Sequence, residues 1–230
     1  MATKDTYVVS LGGSLIAPPE GIDWKFLKAF RQLILSQLEL GKKFFIITGG
    51  GMTARNYIGA ASRVIEVSAE DRDWLGIHAT RLNAHLMRTI FYDVAHPEII
   101  TNPKVHLASQ AKVIIASGWK PGWSTDYVAT ILAQEYKIGT VINLSNIDYV
   151  HDRDPRKFKN TKPLASIKWA DFRKIVGDKW DPGLNAPFDP VASRLASELG
   201  LKVVIMNGKK MANLSNYLKG KKFTGTTIEL

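Results

Sequence analysis

Five short apolar runs recur along this chain, four of them ending in glycine or polar residues, and helical periodicity lies between most of them. The runs are Tyr7-Val8-Val9-Ser10-Leu11, Phe44-Phe45-Ile46-Ile47-Thr48, Val113-Ile114-Ile115-Ala116, Thr140-Val141-Ile142-Asn143-Leu144 and Val203-Val204-Ile205-Met206. Each has the length and β-branched or aromatic content of a buried strand. No two are joined by a two-residue hairpin loop, and the stretches between them are long enough to cross over. That excludes a meander of hairpins. It predicts an α/β fold, a three-layer αβα sandwich around a mainly parallel sheet.

The helices can be read from their ends. Asp23 caps a helix from Trp24 to Leu40, with Leu27, Phe30, Ile34 and Leu38 on one face and Gly41 at its C′ position. Asp71-Arg72-Asp73-Trp74 leads a helix to about Phe91, in which Asp73 is either the N-cap or an acceptor for a ribose or base. Val105-His106-Leu107-Ala108 reads as a short strand. Tyr127 to Tyr136 is helical, with Val128, Ile131 and Leu132 on its apolar face. A further helix spans about Trp169 to Val176, and breaks follow at Pro182-Gly183 and Ala186-Pro187. Asp189 at N-cap and Pro190 at N1 open another helix, with Val191, Leu195 and Leu199 as its stripe and Gly200 as its stop. Asn213 to Leu218 is a short helix. Gly225-Thr226-Thr227-Ile228 closes the chain as an edge strand.

Composition narrows the setting. A chain of 230 residues is one large domain or two small ones, and it can bury a sizeable core unaided. Cysteine is absent, which rules out disulfides and thiolate metal sites. His78 and His85 show no HExxH spacing and read as packing or surface residues, so no metal-ligand set is expected. No apolar run approaches the roughly 20 residues that span a bilayer. The N-terminal residues lack a signal-peptide pattern. A cytoplasmic protein with no membrane contact is expected. The net charge of +10, from 31 basic and 21 acidic residues, suits anionic ligands. No helix-turn-helix, zinc finger or RNP pattern accompanies it, so nucleic acid is not an expected partner.

Chemistry concentrates where the strands end. Four exits carry glycines or polar side chains: 12–14, 49–51, 118–125 and 145–154. In open α/β sheets the carboxyl ends of the strands are where ligands sit. Glycine lets backbone N–H groups approach a phosphate, and a helix start favours an anion. Gly12-Gly13-Ser14 and Gly49-Gly50-Gly51 have this character. Arg55 follows on the next helix's first turn, from where a guanidinium can reach a phosphate in bidentate fashion. In Ser117 to Asp126, Pro121-Gly122 sets a turn, Ser124 and Thr125 are candidate caps, and Lys120 adds a positive charge. Asn146, Asp148 and Asp154 have the chemistry to bind a nucleotide or a metal–phosphate group. Neither GxxxxGK[ST] nor GxGxxG occurs, so a P-loop and a Rossmann dinucleotide site are both unsupported. Together the four exits point to a phosphate-rich ligand.

The order of these motifs resembles the amino-acid-kinase superfamily, and within it the uridylate kinases of archaeal type. The likeness runs through Gly12-Gly13-Ser14, Gly49-Gly50-Gly51 with Arg55, the stretch Asp73 to Asn83, Pro121 to Asp126, Ser145-Asn146-Ile147-Asp148, Asp154-Pro155, Asp189-Pro190 and Gly225 to Glu229. It implies one amino-acid-kinase domain over 1–230, with the acceptor part at about 1–125 and the ATP part at about 126–230. It implies the reaction ATP + UMP → ADP + UDP, with Mg²⁺ accompanying ATP, in pyrimidine nucleotide synthesis. It maps ATP to Gly13, Ser14, Gly51, Arg55, Ser145, Asn146, His151 and Asp154. UMP maps to Gly50, Asp73 and the loop Trp119, Lys120, Pro121, Gly122, Trp123, Ser124 and Thr125. Asp189 is the expected organiser of catalytic charge, with Arg55 and Lys120 as cations beside it. A homohexamer built from dimers is implied as well.

The chain departs from the resemblance in places. Many members carry a Lys two residues before the first glycine pair, where this chain has Ser10. His151 and Tyr149 stand where Tyr and Gly are common. Trp119 and Trp123 are bulky in the acceptor loop, where they either stack on uracil or pack. Two other readings stay open: the same fold with another acceptor, and a non-catalytic nucleotide or oxyanion binder, for which Ser10 is the best support.

Overall fold

In the computed structural model, which describes residues 5–177, 179 and 186–230, alternation along the first strand, β1 (Thr6–Leu11), decides the layering. Val8 points to one face of the sheet, and Val9 and Leu11 point to the other. The same split recurs in β2 (Lys43–Thr48), β3 (Val113–Ala116), β4 (Thr140–Ser145) and β8 (Lys202–Asn207). All five are parallel, and the pairing is in register, with Ser10 beside Ile47 on one side and Asn143 on the other. Strands buried on both faces must be apolar throughout, as these are.

The sheet runs in the order β3-β2-β1-β4-β8-β9-β7, where β7 is Ser166–Lys168 and β9 is Thr226–Glu229. Here the expected edge strand differs: β9 lies between β8 and β7, antiparallel to the first and parallel to the second. Its Thr226 and Ile228 are buried, as a strand inside a sheet requires. A two-residue ladder, β5 (Val150–His151) with β6 (Pro163–Leu164), stands apart from the main sheet.

One layer packs α2 (Trp24–Glu39), α4 (Ala69–Ile90) and α8 (Met211–Leu218) on the Val9 face, with the one-turn α1 (Gly13–Ile16). Leu27, Phe30, Ile34 and Leu38 are the buried stripe of α2, as their spacing predicts. Full burial of each such side chain contributes about 1.5–3 kcal/mol. The opposite layer holds α5 (Thr125–Glu135), α6 (Trp169–Val176) and α7 (Pro190–Glu198), through Val128, Leu132, Phe172, Ala192 and Ala196. The expected three-layer sandwich is therefore present. The Pro182-Gly183 break lies outside the described residues.

Two local readings are corrected. The helix for which Asp73 was one candidate cap begins earlier, at Ala69, because the Ser68 hydroxyl takes the Asp71 N–H. Asp73 then sits inside the helix. Residues 105–108 form no strand. The Leu107 N–H is instead bound by the Tyr136 hydroxyl at 2.8 Å. Finally, α3 (Gly51–Val64) lies against α4 and buries none of its residues fully, leaving Tyr57 and Val64 exposed.

Candidate active site

Because β3, β2, β1 and β4 are parallel neighbours, their four exits open on the same end of the sheet. The first two glycine exits touch. A Cβ placed on Gly13 would lie 2.1 Å from the Gly51 nitrogen, and one on Gly51 would lie 2.3 Å from the Gly13 oxygen. Gly51 also has φ +62, a conformation that favours glycine. Gly13 opens α1 and Gly51 opens α3, and the first N–H groups of a helix have no partner within it. Gly13, Ser14, Gly50 and Gly51 are thus brought together.

Polar groups on α4 hold these exits. Asn83 Nδ2 donates to the Gly49 and Gly50 oxygens, at 2.7 and 3.3 Å. Thr80 Oγ1 accepts from Gly118 N at 2.8 Å, and the Thr80 carbonyl accepts from Thr48 Oγ1 at 2.9 Å. Both side chains are buried, so these bonds replace water that the loops cannot reach. Neither residue was singled out from sequence. Their signal was there: two polar positions three apart on a helix, Thr80 and Asn83, on its buried face.

Asp73 meets the third exit. Its Oδ2 accepts from Gly122 N at 2.7 Å, and Gly122 turns at φ +84. This loop carries an aromatic ladder, with the Trp119 and Trp123 rings 6.1 Å apart and Trp123 and Tyr127 4.1 Å apart. Lys120 Nζ lies 4.5 Å from the Trp119 ring centre, which places its charge on the ladder. Ser124 caps α5 through Tyr127 N, and Thr125 is the first residue of that helix. Arg55, expected on the first turn of α3, is the fifth residue of that helix and so opens its second turn; it is exposed, with Nε 3.0 Å from Met52 Sδ.

The deepest polar cluster was only half anticipated. Ser10 on β1 and Asn143 on β4 are register partners, so their side chains leave the sheet on the same face. Both donate to Asp126 Oδ1 at 3.0 Å. Asp126 Oδ2 accepts from Asp189 N at 3.3 Å. Asp189 caps α7 through Ala192 N at 2.6 Å, so the expected capping role is real. It is also buried beside a second carboxyl. Burial first, and then the Asp189 charge, push the Asp126 carboxyl up to about 7, against the pull of Ser10 and the Asp189 N–H. Asp126 keeps some exposure as a residue, but its carboxyl is enclosed by these partners. Burial also raises Asp189, against hydrogen bonds from Ala192 N and the Ser124 hydroxyl. No Lys or Arg of the described residues forms an ion pair with either acid. Sequence reading quoted Asp126 within its loop but gave it no role. Its partners come from two other strands and a helix, which no local pattern reveals.

The fourth exit leads to a cavity of about 550 Å³ lined by Ser145, Asn146, His151 and Asp154, with Arg153, Arg156 and Lys157. Its volume is that of a small-molecule pocket. His151 Nδ1 is 2.8 Å from Thr161 Oγ1. Asp154 is gripped in bidentate fashion by Arg156, at 3.0 and 2.9 Å, which holds its carboxyl down to about 2. Lys210, at the start of α8, pairs with Asp148 at 2.8 Å. The site is therefore a backbone-lined groove on one side and a cation-rimmed cavity on the other, with two uncompensated buried acids in the layer of α5 and α7.

Known proteins are similar to this chain in sequence and fold. A model of the Amino acid kinase family matches residues 5–207. The uridylate kinase of Methanospirillum hungatei is 33% identical, over 97% of this chain and 94% of that protein. The uridylate kinase of Thermoplasma volcanium is 32% identical over 98% of each. Among solved structures, the uridylate kinase from Archaeoglobus fulgidus superposes with a TM-score of 0.82 at 28% identity, covering 96% of this chain and 99% of that one. Glycine exits in mutual contact, a buried acid capping α7, and a family model that spans most of the length lead to one assignment: the chain belongs to the amino acid kinase family.

Proposed function

We propose that this protein is a UMP kinase, a phosphotransferase that moves the γ-phosphoryl group of ATP onto the phosphate of UMP to give UDP and ADP. The observation that carries the reading is the contact between the Gly13 and Gly51 backbones at the exits of neighbouring parallel strands. Transfer between two phosphates needs them aligned and their charge neutralised, and little covalent help. UMP sits along Gly50 and the loop Trp119 to Thr125, which Asp73 holds at Gly122; Trp123, flanked by Trp119 and Tyr127, packs to stiffen that loop. ATP occupies the cavity of Ser145, Asn146, His151 and Asp154, with its phosphates reaching Gly13, Ser14 and Gly51. Helix-start amides, Arg55 and Lys120 lower the cost of bringing the anions together. No general base is required, since the acceptor is already an anion.

Mg²⁺ fits the residues present. Asp189 is a hard oxygen donor with no cation partner among the described residues, beside Asp126, whose own oxygens are taken by Ser10, Asn143 and the Asp189 N–H; no group of three acidic or histidine ligands is found among the described residues. An ion held mainly by substrate phosphates, with one or two carboxylates, is how Mg²⁺ is usually bound. Bound there, it would neutralise phosphate charge. Asp189 would be the residue that holds it, and Ser10 and Asn143 keep the neighbouring Asp126 in place.

The wider reading follows the same support. Residues of about 1–125 hold the acceptor and about 126–230 hold ATP. The protein works in cytoplasmic pyrimidine nucleotide synthesis. The exposed apolar residues of α3, which buries none of its own fully, suit cover by a second copy within a hexamer. Light scattering on the purified chain checks the last point.

Coupled ADP release with UMP, CMP, acetylglutamate, aspartate and isopentenyl phosphate tests the reaction. Turnover with UMP is expected to exceed the others, and Arg55→Ala is expected to lower it more than tenfold. No turnover with UMP rejects the reading. A second reading, a nucleotide or oxyanion binder without turnover, draws on Ser10, whose hydroxyl is spent on Asp126 at the position where the family resemblance implies a Lys. It predicts tight ATP binding and no product with any acceptor.

A further inference from the structure

At the other end of the sheet, a separate cavity of about 360 Å³ opens beside the starts of β1, β2 and β3, next to the last turn of α5. It shares no residue with the site above. One wall is aromatic. The Tyr136 ring lies 4.3 Å from Phe45 and is stacked on His106 at 4.7 Å and 24°. The Tyr136 hydroxyl is spent on Leu107 N at 2.8 Å, which fixes the ring and folds the irregular segment 106–111 against it. Lys43, the first residue of β2, lines the cavity and has no ion-pair partner among the described residues. No Asp or Glu lines it. Asp5, next to the lining residue Thr6, is already paired with Lys42 at 3.2 Å. The cavity thus joins a ring-stacking wall to an uncompensated ammonium, in a volume suited to a small molecule.

We infer that this cavity binds a small organic anion carrying one aromatic ring, with the ring against Tyr136 and His106 and the anionic group on Lys43. The charge excludes an aromatic cation such as an arylalkylammonium, because the Lys43 ammonium, which no lining acid offsets, would repel it. A bare inorganic anion would leave the aromatic wall unused. A carboxylate and a phosphate meet the same requirements. This inference is independent of the kinase reading, since the cavity lies at the amino ends of the strands.

The test uses the full chain with UMP and a non-hydrolysable ATP analogue at saturation, so that both the groove and the cavity at the strand exits are filled. Binding of phenylacetate and phenyl phosphate is followed by saturation-transfer NMR and calorimetry, with phenylacetamide and acetate as probes lacking the charge or the ring. At least one of the two aromatic anions is expected to bind about tenfold or more tightly than phenylacetamide and acetate. Phenyl phosphate as the tighter probe identifies a phosphorylated ligand, and phenylacetate a carboxylate. Lys43→Gln, at an exposed position, is expected to weaken binding about tenfold with an unchanged Tm. Ala111→Trp, which fills the cavity, is expected to abolish it, and both variants keep their turnover with UMP. Equal binding of phenylacetamide, no binding of either anion, or undiminished binding in Lys43→Gln overturns the inference.

Discussion

The exits of β1, β2 and β3 and the exit of β4 are built in opposite ways. The first group is backbone held by buried polar side chains: Gly13 against Gly51, with Asn83 and Thr80 behind them. The second is side chain held at the surface, by Arg156 on Asp154 and Lys210 on Asp148. Buried hydrogen bonds are expensive to break because the orphaned group stays dry. Exposed ion pairs are worth little and exchange readily for another anion. The glycine side is therefore held rigidly, and the β4 side is free to rearrange.

Substitutions can break or sharpen this contrast. The largest effect is expected for Gly13→Ala, whose new Cβ would have to displace the Gly51 backbone. A shift of an ångström in a phosphate grip lowers rates by about a hundredfold. Steady-state turnover of UMP with ATP checks it, and a near-native rate would mean the two loops are not the grip. Asp189→Asn is next. It keeps a side-chain oxygen for the α7 cap and removes the charge, so turnover should fall more than about tenfold with a folded far-ultraviolet spectrum.

Asn83→Ala should destabilise the fold by about 1–3 kcal/mol, because it strips the Gly49 and Gly50 carbonyls of a buried donor. Urea unfolding measures this, and a change near zero would show that the glycine exits need no support. A pH effect is expected from Asp126. Its carboxyl goes from an ordinary value of 3.8 to about 7 on folding, so the folded state holds the proton more tightly. The associated stability is fully present below about pH 4 and is lost as pH rises toward 7. Asp126→Asn should flatten that part of the Tm profile; an unchanged slope would place the proton elsewhere. The smallest effect belongs to the β4 side. Arg156→Ala should leave Tm unchanged and alter the KM for ATP by only a few-fold, since Arg156 itself is solvent-exposed. A large loss of stability there would erase the contrast.

Much of the scaffold was legible before any coordinates. The α2 stripe, the α6 limits and the Asp189-Pro190 start of α7 follow from spacing and capping chemistry, and they appear as read. The failures share a cause. Asp73 looked like a cap because acids favour helix starts, yet Ser68 took that place and left Asp73 to reach across to Gly122. The Gly225 to Ile228 strand looked terminal in the chain and was assigned to an edge. Position in the sheet depends on β7, a three-residue strand with no signal of its own.

Sequence alone determined the layers, the parallel strands and the presence of four polar exits, because apolar periodicity and glycine chemistry act over a few residues. Only the tertiary structure decided which groups meet there. Ser10 and Asn143 become neighbours through register, and together they hold Asp126 against Asp189, 63 residues further along the chain. The proton affinity of that acid arises from burial and from a second charge. Both are properties of the assembled interior, and neither is carried by any single stretch of the chain.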